Sequence, residues 1–206
     1  TFDKTAPTMS AIAIASNNAN YTTLAKADDS VKVTFTSSET IQTPTATIGT
    51  FSATVSGSAA SWVGSKVMSV GDTEGGVAFT LDFIDLAGNA GTQATATTNS
   101  SLVTLDRTAP TIAASIVSNN TTTTLAKPGD DVTLTVTSSE NLYQAPTATI
   151  DGNSASVSPS TQTTSYSATR TMASGDTDGA VAFVVSGVKD LAGNTVSNVT
   201  ATTNAS

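Results

Sequence analysis

Val31-Lys32-Val33-Thr34-Phe35-Thr36-Ser37-Ser38-Glu39 decides the fold. Val31, Val33 and Phe35 alternate with Lys32, Thr34 and Thr36, so three apolar side chains share one face of an extended strand. The pattern returns in Val132, Leu134 and Val136, ahead of Thr137-Ser138-Ser139-Glu140. Outward from it, the rest of the chain proves to be duplicated. Thr1-Phe-Asp-Lys-Thr-Ala-Pro-Thr8 matches Thr104-Leu-Asp-Arg-Thr-Ala-Pro-Thr111, and Leu24-Ala25-Lys26 matches Leu125-Ala126-Lys127. Pro44 to Ile48 matches Pro146 to Ile150, and Gly71-Asp-Thr-Glu-Gly75 matches Gly175-Asp-Thr-Asp-Gly179. Asp85-Leu-Ala-Gly-Asn89 matches Asp190-Leu-Ala-Gly-Asn194. The displacement drifts only between 101 and 105 positions, so insertions are short and fall in loops.

Inside each copy the period is two. Val77, Phe79 and Leu81 alternate with their neighbours, as do Val181, Phe183 and Val185. Thr and Val suit a pleated surface, and Gly, Pro, Asn and Asp punctuate the chain at strand-length intervals. No stretch carries a helical stripe. The spacing predicts strands near 8–16, 31–37, 45–49, 51–57, 62–69, 76–84 and 92–99, and again in the second copy. About seven antiparallel strands per ~100 residues predict an all-β chain of two tandem immunoglobulin-like β-sandwich domains, 1–102 and 103–206. Both ends sit at one phase of the repeat, which predicts a segment of a longer array. Trp62 aligns with Tyr166 and Met68 with Met172, a pairing expected of core residues.

Composition narrows the function. Of 206 residues, 16 are acidic and 8 basic, giving a net charge of −8 and a pI near 4.1. There is no Cys, hence no disulfide, thiolate metal site or Cys nucleophile. Nor is there a His, the commonest general base, so a Ser nucleophile has no His base beside it. Acidity without a Lys/Arg cluster argues against nucleic acid as a partner. No apolar run approaches the ~20 residues of a membrane helix, and no membrane insertion is expected. With 41 Thr and 27 Ser, hydroxyl side chains make up about a third of the chain. No catalytic residue and no organic cofactor is expected. An isopeptide cross-link would need an internal Lys; Lys32 is the candidate, but its counterpart is Thr133. Asn20, Asn99, Asn119, Asn120, Asn198 and Asn204 stand in Asn-x-Ser/Thr sequons, frequent by chance in so Asn- and Thr-rich a chain.

The Asp-x-Thr-Ala-Pro-Thr entry, the Val31–Glu39 strand and the Asp-Leu-Ala-Gly-Asn loop together resemble bacterial Ig-like tandem repeats. Such repeats build giant surface adhesins and prokaryotic surface-layer or fibre proteins. The resemblance runs through both copies. It implies an extracellular, cell-surface location and a stalk or scaffold role, with further copies of the repeat as partners in cis. It also implies Ca²⁺ as a frequent ligand near domain junctions.

In an Ig-like sandwich the chain entry and the B–C and F–G loops share one end. Asp3, Glu39 and Asp85 are therefore expected to converge, as are Asp106, Glu140 and Asp190. The A–B and E–F loops present Asp29 and Asp72, with Asp28 and Glu74, at the opposite end. The lower end of the first domain and the upper end of the second are expected to meet at the short linker and gather up to seven carboxylates there. Such a cluster repels, and a hard cation with six to eight oxygen ligands would relieve it. These acids are the expected Ca²⁺ ligands. Turn chemistry is the competing account: Asp85 and Asp190 can accept backbone N–H bonds in Asx turns, Gly88 can supply a positive φ, and Asn89 and Asn194 suit the same turns. Two further roles stay open beside the stalk: a repeat of a self-assembling lattice or fibre, with neighbouring chains as partners through open strand edges, and a carbohydrate-binding accessory module. The last would need an exposed aromatic platform, for which Trp62, Tyr21 and Tyr143 are few and not shared by both copies.

Overall fold

The computed structural model describes residues 2–203. The sequon Asn204 and the repeat match at Thr1 lie outside them. The chain divides into two compact units, Thr1–Arg107 and Thr108–Ser206. Residues 103–107 group with the first unit because Val103 and Leu105, each 1% exposed, are buried in its core.

The first unit holds β1 (Met9–Ser16), β2 (Leu24–Ala25), β3 (Ser30–Ser37), β4 (Thr45–Ile48), β5 (Phe51–Ser52), β6 (Thr54–Ser58), β7 (Ser61–Val67), β8 (Gly75–Gly76), β9 (Phe79–Asp82) and β10 (Thr104–Leu105). One antiparallel sheet runs β1-β3-β7-β6 and another β5-β4-β9. A small third sheet has β10 between β2 and β8. Thus β1, β3, β4, β7 and β9 take the places of strands A, B, C, E and F of an immunoglobulin-like sandwich. The alternation in β3 does what its period requires: Val31, Val33 and Phe35 are buried and Lys32 and Thr34 exposed. Trp62 packs into the same core, its indole N–H donating to Ala59 O (3.1 Å).

The second unit holds β11 (Ile112–Ser118), β12 (Asp131–Ser138), β13 (Thr147–Ile150), β14 (Asn153–Ser158), β15 (Ser165–Thr171) and β16 (Phe183–Ser186). Its sheet order is β11-β12-β15-β14-β13-β16. The start of β14 pairs with β13 and its end with β15, so one strand passes between the two faces. In the first unit the same passage is split at Ala53 into β5 and β6. Tyr166 is 1% exposed and its hydroxyl donates to Thr161 O (3.2 Å). Core packing thus accounts for both Trp62 and Tyr166 and removes Trp62 from any aromatic platform.

The expected strand at 92–99 does not form a ladder. Among the described residues this stretch contributes an isolated bridge, Leu81–Ala94. The chain then crosses to the outer edge of β1. There Thr98 N–H donates to Ile12 O (2.9 Å), Thr98 Oγ1 accepts Ile12 N–H (2.9 Å), and Ser101 Oγ accepts Ile14 N–H (2.9 Å). Hydroxyls replace backbone partners, so the edge is occupied without a paired strand. Thr203 does the same for Ala114 in the second unit, accepting its N–H (3.2 Å) and donating its own to Ala114 O (3.0 Å).

Candidate functional site

Three elements of the first unit bring acids together: the entry segment, the loop after β3, and the loop after β9. Carboxylate oxygens of Asp3, Glu39 and Asp85 lie within 4.8 Å of one another. Asp3 is exposed, Glu39 half-buried and Asp85 1% exposed. The ion pairs Lys66–Asp72, Lys127–Asp130 and Arg170–Asp176 lie elsewhere. In the second unit a carboxylate oxygen of Glu140 lies within 4.8 Å of one of Asp190. Asp106, the counterpart of Asp3 in the repeat, belongs to the first unit, where its N–H donates to Ala25 O (2.8 Å).

Each buried Asp of these loops also organises its own turn. Asp85 Oδ1 accepts Asn89 N–H (2.8 Å) and Oδ2 accepts Asn89 Nδ2 (2.7 Å). Gly88 carries the positive φ, 97°, that lets the chain reverse. Burial pushes the Asp85 carboxyl up, but the Asn89 side chain and the N–H groups of Asn89, Gly88 and Ala87 outweigh it and hold it below its ordinary value. Asp190, fully buried, repeats the arrangement: Oδ1 accepts Gly193 and Asn194 N–H (2.6 and 2.8 Å), and Oδ2 accepts Asn194 Nδ2 (2.8 Å). The turn reading of Asp-Leu-Ala-Gly-Asn therefore describes both loops. Asn89 adds a link to the entry segment, Nδ2 to Asp3 O (3.4 Å), while Asp3 Oδ1 accepts Thr5 N–H (2.9 Å).

The residues fit a hard cation. Oxygens sharing one Ca²⁺ at roughly 2.3–2.6 Å stand no more than about 5 Å apart, and these three lie inside that limit. The set is all oxygen, the chemistry Ca²⁺ prefers over thiolate or imidazole.

Asp29 and Asp72, expected as ligands at the opposite end of the first unit, each hold bonds within their own loops. Asp29 Oδ2 accepts Asn18 Nδ2 (2.7 Å) and Lys26 N–H (2.8 Å), tying the A–B loop. Asp72 pairs with Lys66 and accepts Ser69 N–H (2.7 Å). Burial raises its carboxyl, but the Lys66 and Ser69 bonds prevail and lower it. Glu74 accepts Arg107 N–H (2.6 Å). Sequence reasoning set no cation beside Asp72 and missed Lys66. The signal was present: Arg170 and Asp176 repeat the six-residue spacing and also pair, at 2.5 Å.

Among the remaining candidates, Lys32 lies on the exposed face of β3, with Ser65 across the ladder. Tyr143 lies under Lys189 Nζ, 4.5 Å from the ring centroid.

No family model and no curated protein matches the sequence. Among solved structures, the fibronectin(III)-like modules of Clostridium thermocellum CbhA are similar to it, with a TM-score of 0.35 and 12% identity over 91% of this chain and 92% of that one. Strand order, register and the buried alternation carry the fold assignment, all-β and immunoglobulin-like, and that likeness adds no weight to it.

Proposed function

We propose that the chain is a non-enzymatic spacer segment of an extracellular surface protein whose repeats are stiffened by Ca²⁺. The observation that carries this reading is the convergence of Asp3, Glu39 and Asp85 from three separate elements. Asp3 lies on the segment by which the chain enters its module. A cation held by that segment and by two rigid loops would fix the entry direction, and the repeat places Asp106, Glu140 and Asp190 in the same sequence roles. In a tandem array such fixation converts a loose string into a stiff support, which is the work of a stalk. When bound, the ion supplies charge neutralisation; the chain's own residues supply orientation, since Asn89 holds the Asp85 carboxylate and touches the entry backbone. The occupied outer edge of β1 favours a spacer over an edge-to-edge lattice.

The test is a thermal melt of the full chain in EDTA and in Ca²⁺, with Tb³⁺ luminescence as a second readout. Binding to the folded state alone raises stability by about 2.7 kcal/mol at a free concentration 100-fold above Kd. Glu39→Gln removes a ligand without touching the Asp85 turn and should abolish the rise in the first unit. Identical melts in EDTA and Ca²⁺ would refute the cation and leave the turn account standing.

A further inference from the structure

In the first unit, β10 fills a slot between two short walls. Thr104 and Leu105 face Leu24 and Ala25 of β2 in parallel, and Gly76 and Gly75 of β8 antiparallel. Beyond those ladders the segment is held by Thr104 N–H to Thr23 O (2.9 Å), Asp106 N–H to Ala25 O (2.8 Å) and Val77 N–H to Val103 O (2.8 Å). Val103 and Leu105 drop into the core.

The second unit has the same walls. Leu125-Ala126 stands for Leu24-Ala25, and Gly179-Ala180-Val181 for Gly75-Gly76-Val77. The loop frame is also kept. Ser118 N–H donates to Thr123 O (2.9 Å) and Ser118 Oγ to Leu125 O, as Ser16 does to Thr22 O and Leu24 O. Between the walls lies an open groove of about 440 Å³, lined by Ile116, Leu125, Ala126, Val132, Gly179 and Val181 among others. Leu125 is 63% exposed. Val181 N–H, Thr124 C=O and Ala126 C=O have no hydrogen-bond partner among the described residues. They are the counterparts of the three groups that hold Val103 to Asp106.

We propose that this groove is a strand acceptor. Its occupant is an extended segment with the chemistry of Val103-Thr104-Leu105-Asp106, apolar at its first and third positions, joined in cis through Ser206. Backbone bonding to Thr124, Ala126 and Val181 supplies affinity, and the two apolar side chains supply selectivity. The cis source follows from Thr203, which meets Ala114 as Thr98 meets Ile12. The short connection that carries the chain from Thr98 to Val103 in the first unit therefore gives the reach that a segment following Thr203 needs.

The test appends Leu-Val-Thr-Leu-Asp-Arg, the sequence of residues 102–107, after Ser206 of the full chain. A control appends Leu-Asp-Thr-Asp-Asp-Arg. Amide exchange at Val181 should slow about 100-fold with the first extension and stay unchanged with the second, in a monomer by sedimentation. Leu105→Asp, read in the same way, should conversely speed exchange at Val77. Equal exchange at Val181 with both extensions overturns the proposal. So does protection confined to a concentration-dependent dimer, which would make the donor a second copy.

Discussion

Leu24-Ala25 and Leu125-Ala126 have the same sequence and opposite surroundings. Ala25 is fully buried, whereas Ala126 is exposed. The loops that carry them share their internal bonds, so the contrast does not arise in the loops. It arises from Val103 and Leu105, which cover the first pair. Burial here is conferred by a strand distant in sequence, and the dipeptide alone decides neither its exposure nor its pairing. The two repeats therefore act as an internal experiment: one scaffold, with local differences whose effects can be read one at a time.

The largest such difference lies in the core behind the candidate site. Phe83 and Gly91 face each other in the first unit, Gly91 N–H donating to Phe83 O (3.0 Å). A Cβ at Gly91 would lie 2.1 Å from the Phe83 ring. The second unit has Val188 and Val196 at these places, with the equivalent bond at 3.1 Å. Large–small has been exchanged for medium–medium within one space. Gly91→Val should thus destabilise the first unit by about 3 kcal/mol through overpacking. Phe83→Val added to it should recover all but about 1 kcal/mol, a coupling that denaturant melts of the two single variants and the double variant would measure. Additive effects would mean that the repeats do not share this packing solution.

Charge provides the next contrast. Arg170 serves Asp176 where Lys66 serves Asp72. In the A–B loops Asn120 Nδ2 and Lys127 N–H hold Asp130 (2.8 and 2.9 Å) as Asn18 and Lys26 hold Asp29, but Lys127 Nζ also joins Asp130, at 2.6 Å. The Lys127 side chain, then Asn120, bring Asp130 down to about 2. Arg170 and the Ala173 N–H lower Asp176. A carboxyl depressed on folding adds stability above its unfolded pKa of about 3.9, and that stability is lost as pH falls toward the folded value. Melting temperatures should hold from pH 7 to about 5 and fall between about pH 4 and 2. Lys127→Met should shrink that acid loss in the second unit and leave the first unit's profile unchanged. An unaltered second-unit profile would remove Lys127 from the account.

The alternation at Val31, Val33 and Phe35 made the sandwich legible because burial on one sheet face forces a period of two. Asp3, Glu39 and Asp85 were legible together because topology, once assigned, assigns loops to ends. Lys66–Asp72 joins a strand to a turn six residues on, a spacing no strand or helix period picks out, so only its repetition as Arg170 and Asp176 could have revealed it. The stretch 92–99 looked like a strand because Thr favours one. Its hydroxyl at Thr98 instead bonds the edge of β1, a contact 86 residues away in sequence. Val103-Thr104-Leu105 was assigned to the start of the second domain because its partners, β2 and β8, are two residues each and too short to announce themselves.

The smallest contrast is a single backbone angle. Asp28 has φ 73° and its counterpart Gly129 has φ 93°. Both N–H groups make the same bond, Asp28 to Met68 O (2.9 Å) and Gly129 to Met172 O (2.8 Å), so the loop requires the left-handed conformation whichever residue occupies it. Asp tolerates that region better than most side chains, but still at a cost that glycine avoids. Glycine in turn loses more backbone entropy on folding, which offsets part of the gain. Asp28→Gly should therefore stabilise the first unit by only about 0.5 kcal/mol, visible as a small upward shift of its melting temperature. Gly129→Ala should lower that of the second unit by more, because it adds strain without any compensating bond. A loss on Asp28→Gly would mean that the Asp28 side chain contributes an interaction the backbone comparison does not contain.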